Sequence, residues 1–239
     1  MHTYDRNYFK IALPAALEGL FMILLASTDL IMVGALGALS IAAVSIFLQP
    51  RLILLCFSRS LASSVTLLVS KKAGAGDTIG TADIMKKSLT LCAIFMGLLH
   101  ILFYIFLDDI FYLMGANDEY MAEAMAYGPI ALAAVYVTSL TLILQAVQLG
   151  YGRTSVIMKT NVCGNVVNLA LNALLIFGFG PIPSLGVTGA AIGTLVSTIF
   201  TLGWTAWILK NESFFSGGSY LPDRAYFHRI MPILLSILS

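Results

Sequence analysis

Charged residues are scarce in this sequence. Of its 239 residues, only 10% are Asp, Glu, Lys or Arg, whereas 59% are hydrophobic. A soluble domain has about 25% charged and about 45–50% apolar residues, so too few polar side chains are present here to cover a water-soluble surface. The formal net charge of +1 also excludes a protein that binds nucleic acid through a strongly basic surface. The composition is that of a polytopic membrane protein.

Cysteine and histidine are scarce as well. Cys56, Cys92 and Cys163 lie far apart and form no CxxC pair or zinc-binding spacing, so we predict buried structural thiols rather than disulfides or a metal finger. The three histidines do not cluster, and the HExxH and GxSxG motifs of zinc proteases and serine hydrolases are absent from the sequence. We therefore predict that the protein is not an enzyme and needs no cofactor.

Long apolar runs are abundant. A helix of about 20 apolar residues crosses a bilayer core about 30 Å thick. Six such runs, here named span one to span six, lie near residues 10–34, 41–70, 88–107, 124–149, 155–179 and 186–209. The first run is too long for the core of a signal peptide, so we expect it to be retained. The pattern predicts an all-α polytopic membrane helix bundle of six transmembrane helices plus the start of a seventh.

The basic residues indicate the orientation of the spans. All Lys and Arg residues except Arg51 and Arg59 lie before span one, between spans two and three, around the turn between spans four and five, or after span six. The loop between spans three and four is acidic and contains no Lys or Arg. Because basic loops stay in the cytoplasm, we predict a multi-pass protein of the cell (cytoplasmic) membrane with a cytoplasmic N-terminus.

A short internal repeat predicts the domain organisation. Residues 228–235, HRIMPILL, resemble residues 9–17, FKIALPAAL, because each has a basic residue, an apolar stretch and a proline. Transporters are often built from such repeats, with the substrate path between them. We predict an N-terminal six-helix lobe at 1–209, a cytoplasmic inter-lobe linker at 210–228 and the start of a truncated second lobe at 229–239.

Two acids and two arginines lie well inside spans one and two, where an ionisable residue costs about 2.5–3.5 kcal/mol on insertion scales. Glu18 and Asp29 in span one are eleven residues apart, which places them within about 20° of the same helix face. In span two, Arg51 lies at a depth comparable with that of Asp29, and Arg59 lies nearer the depth of Glu18. The two arginines therefore either form buried pairs with the two acids or tune the proton affinity of those acids.

Polar stripes run along spans four and five at helical spacing. Span five contains Asn161, Asn165, Asn168 and Asn172, and span four contains Thr138, Thr141, Gln145 and Gln148. Such stripes either connect helices by hydrogen bonds or line a cavity and coordinate a cation through their oxygens. Because an intramembrane acid accompanies them, we favour the cavity. Span six has small residues that predict close packing, and its Thr194 is a further cavity candidate.

These segments together resemble the multidrug and toxic compound extrusion (MATE) family. The likeness is carried by IALPA at 11–15, STDLIMVGALG at 27–37, LLVSKKAGAGD at 67–77, QLGYGRT at 148–154, NVVNLALNALLIFGFG at 165–180 and GVTGAAIGT at 186–194. The resemblance implies one lobe of a twelve-span transporter that expels cationic or amphipathic compounds by antiport against H⁺ or Na⁺. It also implies a lipid bilayer environment, a second six-helix lobe as partner, and no nucleic acid.

The resemblance also implies a site for the coupling ion. The first-span aspartate of the family matches Asp29, and the residues matching its other site positions are Tyr127, Gln145, Asn168, Asn172 and Thr194. If the ion is Na⁺, Asp29, Asn168 and Asn172 are its expected ligands. Pro14 matches the proline that bends span one during transport. Some members have an aspartate where this sequence has Asn172, so the ion stays open between H⁺ and Na⁺.

Ion-coupled efflux by alternating access is the leading hypothesis from the sequence. A second hypothesis keeps the fold and makes the cargo a lipid-linked saccharide, because Arg51 and Arg59 would suit such a flippase. A third is a truncated six-helix product that does not transport without a partner chain.

Overall fold

The computed structural model describes residues 30–238 except 182 and 213, and before them residues 13, 16, 17, 19, 20, 23, 27 and 28. Span two is the helix Leu48–Gly74, preceded by a short helix, Ala38–Ser45. Span three is Thr78–Ile105, and a short helix, Leu107–Leu113, follows it. Spans four, five and six are Asp118–Gly150, Thr154–Phe177 and Gly186–Asn211, and the last helix is Arg224–Leu238.

The predicted all-α membrane bundle is confirmed for the described part of the chain. Five helical segments there, corresponding to spans two to six, are long and apolar enough to cross a membrane. About half of span one lies outside the described residues, and its described residues, including 30–34 at its end, are helical.

The predicted span at 41–70 is confirmed as one membrane-length segment, Ala38–Gly74, within which the chain turns at residues 46 and 47. Pro50, in the first turn of span two, has no N–H to donate back to Ile46. The helix therefore begins again at Leu48.

Span three begins ten residues before the predicted start. The Asp77 carboxylate accepts a hydrogen bond from the Gly80 N–H at 2.7 Å and caps the helix. Lys72 places its Nζ 2.7 Å from the same carboxylate. The loop expected between spans two and three is therefore very short, and Lys86 and Lys87 lie inside a helix, where both are buried.

Span four lies at the centre of the bundle. Of its most apolar stretch 61% is buried, against 22–33% for the other described spans. It packs against spans two, three and six, and Ile143 and Val147 are fully buried in the main apolar core. The Ser58 and Ser139 hydroxyls are 2.8 Å apart and link spans two and four inside that core.

The three thiols differ in exposure. Cys92 is buried, as predicted, whereas Cys163 is half-buried and Cys56 is exposed. An apolar run does not show which helix face is covered, so the prediction that Cys56 is buried is wrong.

Candidate functional site

Spans five and six pack closely because glycines line their contact. A Cβ added at Gly189 would lie 2.6 Å from the carbonyl carbon of Leu175, and one at Gly193 would collide with the Asn172 side chain. Gly164 faces Thr201 in the same way. Small residues let helix backbones approach in this manner, so the predicted packing role of the span-six glycines is confirmed.

Three predicted site residues meet at this contact. The Asn168 amide Nδ2 donates to Thr194 Oγ1 at 3.3 Å, and the Asn172 Nδ2 donates to Asn168 Oδ1 at 3.2 Å. Asn168 and Asn172 are buried, with 8% and 2% of their surface exposed. Residues Asn168, Asn172 and Thr194 are referred to below as the amide cluster.

Gln145 lies apart from the amide cluster. Its Nε2 donates to Asn161 Oδ1 at 2.6 Å, and Asn161 precedes Asn168 by seven residues, or about 10 Å of helix. The stripes on spans four and five therefore meet at the Gln145–Asn161 amide pair.

The other polar residues of span four do not widen this contact. The hydroxyls of Thr138 and Thr141 donate to carbonyls of their own helix, at Ala134 and Val137, as is common for Ser and Thr in helices. Gln148 is buried. Thr138 and Thr141 are thus satisfied within their own helix, whereas both amide atoms of Gln148 are buried without a hydrogen-bond partner among the described residues.

Tyr127 packs against a small apolar cluster that lies next to the amide cluster. The apolar cluster consists of Val33, Ile176, Val187 and Ala190. The Tyr127 ring also meets the Phe47 ring edge to face, with 5.9 Å between centroids. Ile176 follows Asn172 by one helical turn, and the Ala190 carbonyl accepts the Thr194 hydroxyl at 2.9 Å.

Asp29, Glu18 and Pro14 lie outside the described residues, so their predicted roles stay predictions. The pairing of these acids with Arg51 and Arg59 stays one as well. Both arginines are exposed, and within the described part of the chain neither forms an ion pair. The described residues also contain no group of three or more His, Cys, Asp or Glu side chains that could hold a metal ion.

A contact that the sequence pattern did not reveal holds the segment after span six against span three. Lys87 Nζ lies 2.7 Å from both Asp83 and Asp223. Lys86 Nζ donates to the Gly217 carbonyl at 2.6 Å and lies 5.0 Å from the centroid of the Tyr220 ring. We call this set the linker clasp. Its sequence signal was a pair of adjacent lysines next to an apolar run.

Other contacts reinforce the linker clasp. Arg153 pairs with Glu212, and its guanidinium lies 5.9 Å from the Phe214 ring centroid. Gly218, at φ +66°, lies so close to span three that an added Cβ would be 2.6 Å from the Asp83 nitrogen. The Asp223 carboxylate accepts the Tyr226 N–H at 2.7 Å, and the last helix accordingly begins at Arg224.

Comparisons with known proteins agree with this architecture. A family model described as MatE matches residues 14–174. The chain is 28% identical over 193 residues to the probable multidrug resistance protein NorM of Rhizobium meliloti (strain 1021), covering 81% of this chain and 41% of that protein. It is 27% identical over 210 residues to a protein of Shewanella oneidensis named FAD transporter, covering 85% of this chain and 45% of that protein.

The fold is shared with solved structures. A mutant of the Vibrio cholerae MATE transporter VcmN matches with a TM-score of 0.87 at 21% identity, over 98% of this chain and 53% of that chain. The chain spans about half the length of the curated relatives it matches, and it corresponds to roughly their N-terminal lobe. Together with its apolar helices, these matches show a multi-pass membrane protein. Since the family model covers more than half of its residues, the chain belongs to the MatE family.

Proposed function

We propose that this chain is the N-terminal lobe of an efflux transporter, which exports amphipathic or cationic organic compounds by alternating access and couples export to an ion gradient. The amide cluster is the observation that carries the proposal. It places two buried amides and a hydroxyl at a close contact between two otherwise apolar membrane helices. Polar groups kept at such depth usually mark a substrate or ion path.

The proposal makes Asp29 the residue that binds the coupling ion, H⁺ or Na⁺. Val33 follows Asp29 by four residues and packs in one apolar cluster with Ile176 and Ala190. Those two residues lie four positions from Asn172 and Thr194, which are members of the amide cluster. Each packed residue is thus four positions along the chain from the corresponding proposed site residue. This register supports a site formed by span one and the amide cluster together.

Two ions suit such a site for different reasons. If the ion is H⁺, the Asp29 carboxylate would bind it and release it during the transport cycle. Alternatively, its carboxylate and the oxygens of Asn168 and Asn172 would hold Na⁺, a cation that prefers oxygen ligands. In either case the charge on span one changes, which would bias its bend at Pro14 and thereby the affinity for the exported compound.

Alternating access needs a second lobe, in the same chain or in a partner, and the helix Arg224–Leu238 after the linker would begin it. The described basic residues near the helix ends also support the predicted orientation. Lys71 and Lys72 end span two, Arg153 precedes span five and Lys210 ends span six. Because basic segments face the cytoplasm, that end of the bundle, and with it the N-terminus, would be cytoplasmic.

The substrate class does not follow from the family alone. Relatives of nearly equal identity are named as a multidrug resistance protein and as an FAD transporter. The choice between cationic and anionic cargo therefore depends on the charges along the path in this chain.

The test is transport by the protein with its second lobe, reconstituted in liposomes. Movement of the fluorescent cation ethidium would be followed under a pH gradient alone and under a Na⁺ gradient alone. We expect one gradient to drive transport and Asp29→Asn to abolish the response, while the matched variant Asp109→Asn, at an exposed acid of the acidic loop, retains it. Ion coupling would be refuted if neither gradient changed the rate of ethidium transport, or if Asp29→Asn transported ethidium in response to the gradient as the unmodified protein does.

A further inference from the structure

Polar side chains interrupt the exposed face of span two, where Leu52, Ile53 and Leu67 are also exposed. Cys56, Arg59 and Ser63 recur at spacings of three and four and are all exposed, so they form one stripe along the helix. Arg51 is also exposed and lies eight residues before Arg59, or about 12 Å along the axis. A charged stripe of this kind marks a helix face turned toward a path rather than toward lipid.

A cavity lies over this stripe. It has a volume of about 320 Å³, and its wall includes Arg59, Cys56 and Ser63 together with Leu52 and Leu55 of the same helix. Ile237, from the helix after the linker, closes it on the other side. The cavity therefore lies between span two and the first helix beyond the linker, and transporters built from repeats have their substrate path between the repeats.

The Arg59 guanidinium has donors to offer in this cavity. Within the described residues it makes no hydrogen bond and no ion pair, and the same holds for Arg51. Arginine keeps its charge at any physiological pH, and its planar array of donors fits the oxygens of a phosphate or carboxylate. The neighbouring Leu52, Leu55 and Ile237 offer apolar surface to the rest of a bound molecule.

We propose that this cavity binds the phosphate or carboxylate of a soluble amphipathic organic anion. Arg59 donates to the anionic group, the apolar wall holds the body of the molecule, and Arg51 provides a second cationic position farther along the same helix. This inference rests on the proposed function only for the location of the path. Among the amphipathic compounds of the proposed function, it specifies those that carry a negative group.

The first test uses Cys56, which lies one helical turn from Arg59 in the cavity wall. In the protein with its second lobe, the rates at which Cys56 reacts with a sulfonate-bearing and with a trimethylammonium-bearing methanethiosulfonate would be compared, each divided by the rate of the same reagent with a small free thiol. Cys163→Ser removes the other accessible thiol. We expect the anionic reagent to react faster than the cationic one, and Arg59→Gln to remove this preference while Lys71→Gln, a matched loss of charge on the same helix, does not. Equal rates for both reagents, or no reaction with either, would overturn the proposal.

The second test uses two fluorescent probes that differ by one phosphate group. Flavin mononucleotide and riboflavin have the same ring, so the ratio of their affinities isolates the contribution of the phosphate. We expect the mononucleotide to bind about tenfold or more tightly, since hydrogen bonds to charged groups have that strength. Arg59→Gln should abolish this ratio and Arg59→Lys should restore part of it, whereas Lys71→Gln should leave it unchanged. Equal affinities in the unmodified protein would overturn the inference.

Lipid composition and transport separate the remaining explanations. If the cavity instead binds lipid headgroups, phosphatidylglycerol in phosphatidylcholine vesicles would displace the mononucleotide through Arg59 and no mononucleotide would be transported. That result would overturn a soluble cargo. Gradient-driven ethidium transport without any preference for the phosphate would overturn this inference alone. Phosphate-dependent binding without gradient-driven transport of either probe would support the cavity and refute the proposed coupling.

Discussion

The Lys87 ammonium lies 2.7 Å from the Asp223 carboxylate, 136 residues farther along the chain. Lys87 is 8% exposed in its side chain, while Asp223 is 55% exposed, so a nearly buried cation in span three holds an acid of the segment that leads out of the lobe. Asp83, one turn earlier on span three, contacts the same ammonium at 2.7 Å and accepts the Ser219 N–H at 2.9 Å. The linker clasp thus fixes where the chain leaves this lobe, and with it the position of the helix that bounds the Arg59 cavity.

Removing the charge of Asp223 should loosen the linker clasp. In Asp223→Asn the buried Lys87 loses one of its two carboxylates, so the segment around Gly217 and Gly218 should open more often. We expect severalfold faster cleavage between Phe214 and Leu221 in limited proteolysis with chymotrypsin. Asp109→Asn, an exposed acid outside the clasp, serves as the control. Equal cleavage rates for the two variants would mean that the ion pair does not hold the linker.

Low pH should loosen the linker clasp, as Asp223→Asn does. The hydrogen bond from Lys87, and then that from the Tyr226 N–H, lowers the pKa of Asp223 below its ordinary value of 3.8. The stabilisation is therefore fully present above pH 3.8 and is lost as the pH falls through the lower pKa of the folded state. Pepsin is active in this pH range. Its cleavage of the unmodified protein should rise below pH 3.8, relative to its cleavage of Asp223→Asn, which lacks this carboxyl group. The same pH dependence of cleavage in both proteins would contradict a stabilising role of the Asp223 carboxylate in the linker clasp.

Gly189→Ala should destabilise the bundle, because the added methyl would meet backbone atoms of Leu175 in span five. Crowding of this kind costs about 1–3 kcal/mol. Gly203→Ala is the matched control on the same helix, since nothing lies within 4 Å of its added Cβ, and it should be neutral or stabilising by up to about 1 kcal/mol through helix propensity. Thermal unfolding in detergent would measure the difference. Equal melting temperatures for Gly189→Ala and Gly203→Ala would mean that spans five and six move apart to accommodate the added methyl group without loss of stability.

Local patterns predicted much of this fold, and long-range contacts account for what they missed. Apolar length predicted spans two to six, and the spacing of the asparagines correctly placed Asn168 and Asn172 on one face of span five. The same spacing could not show that the hydroxyls of Thr138 and Thr141 bond to their own helix. Such back-bonding depends on side-chain rotamers rather than on the pattern.

The linker clasp and the exposed Arg59 were beyond sequence reasoning for another reason. Lys87 resembles a loop residue next to an apolar run until Asp223, far along the chain, folds against it. Likewise, whether Arg59 pairs with an acid or faces a cavity depends on which elements cover span two. Both outcomes are set by tertiary packing, which periodicity within one helix does not record.

The most direct test of the central claim is the ion dependence of transport in Thr194→Ala and Thr198→Ala. Both threonines lie on span six and donate to carbonyls of their own helix, but Thr194 also accepts the Asn168 amide. Losing that hydrogen bond costs about 0.5–1.5 kcal/mol. We therefore predict that Thr194→Ala raises the concentration of the coupling ion needed for half-maximal transport about two- to tenfold, while Thr198→Ala leaves it unchanged. The same ion dependence in both variants would contradict an ion site at the amide cluster.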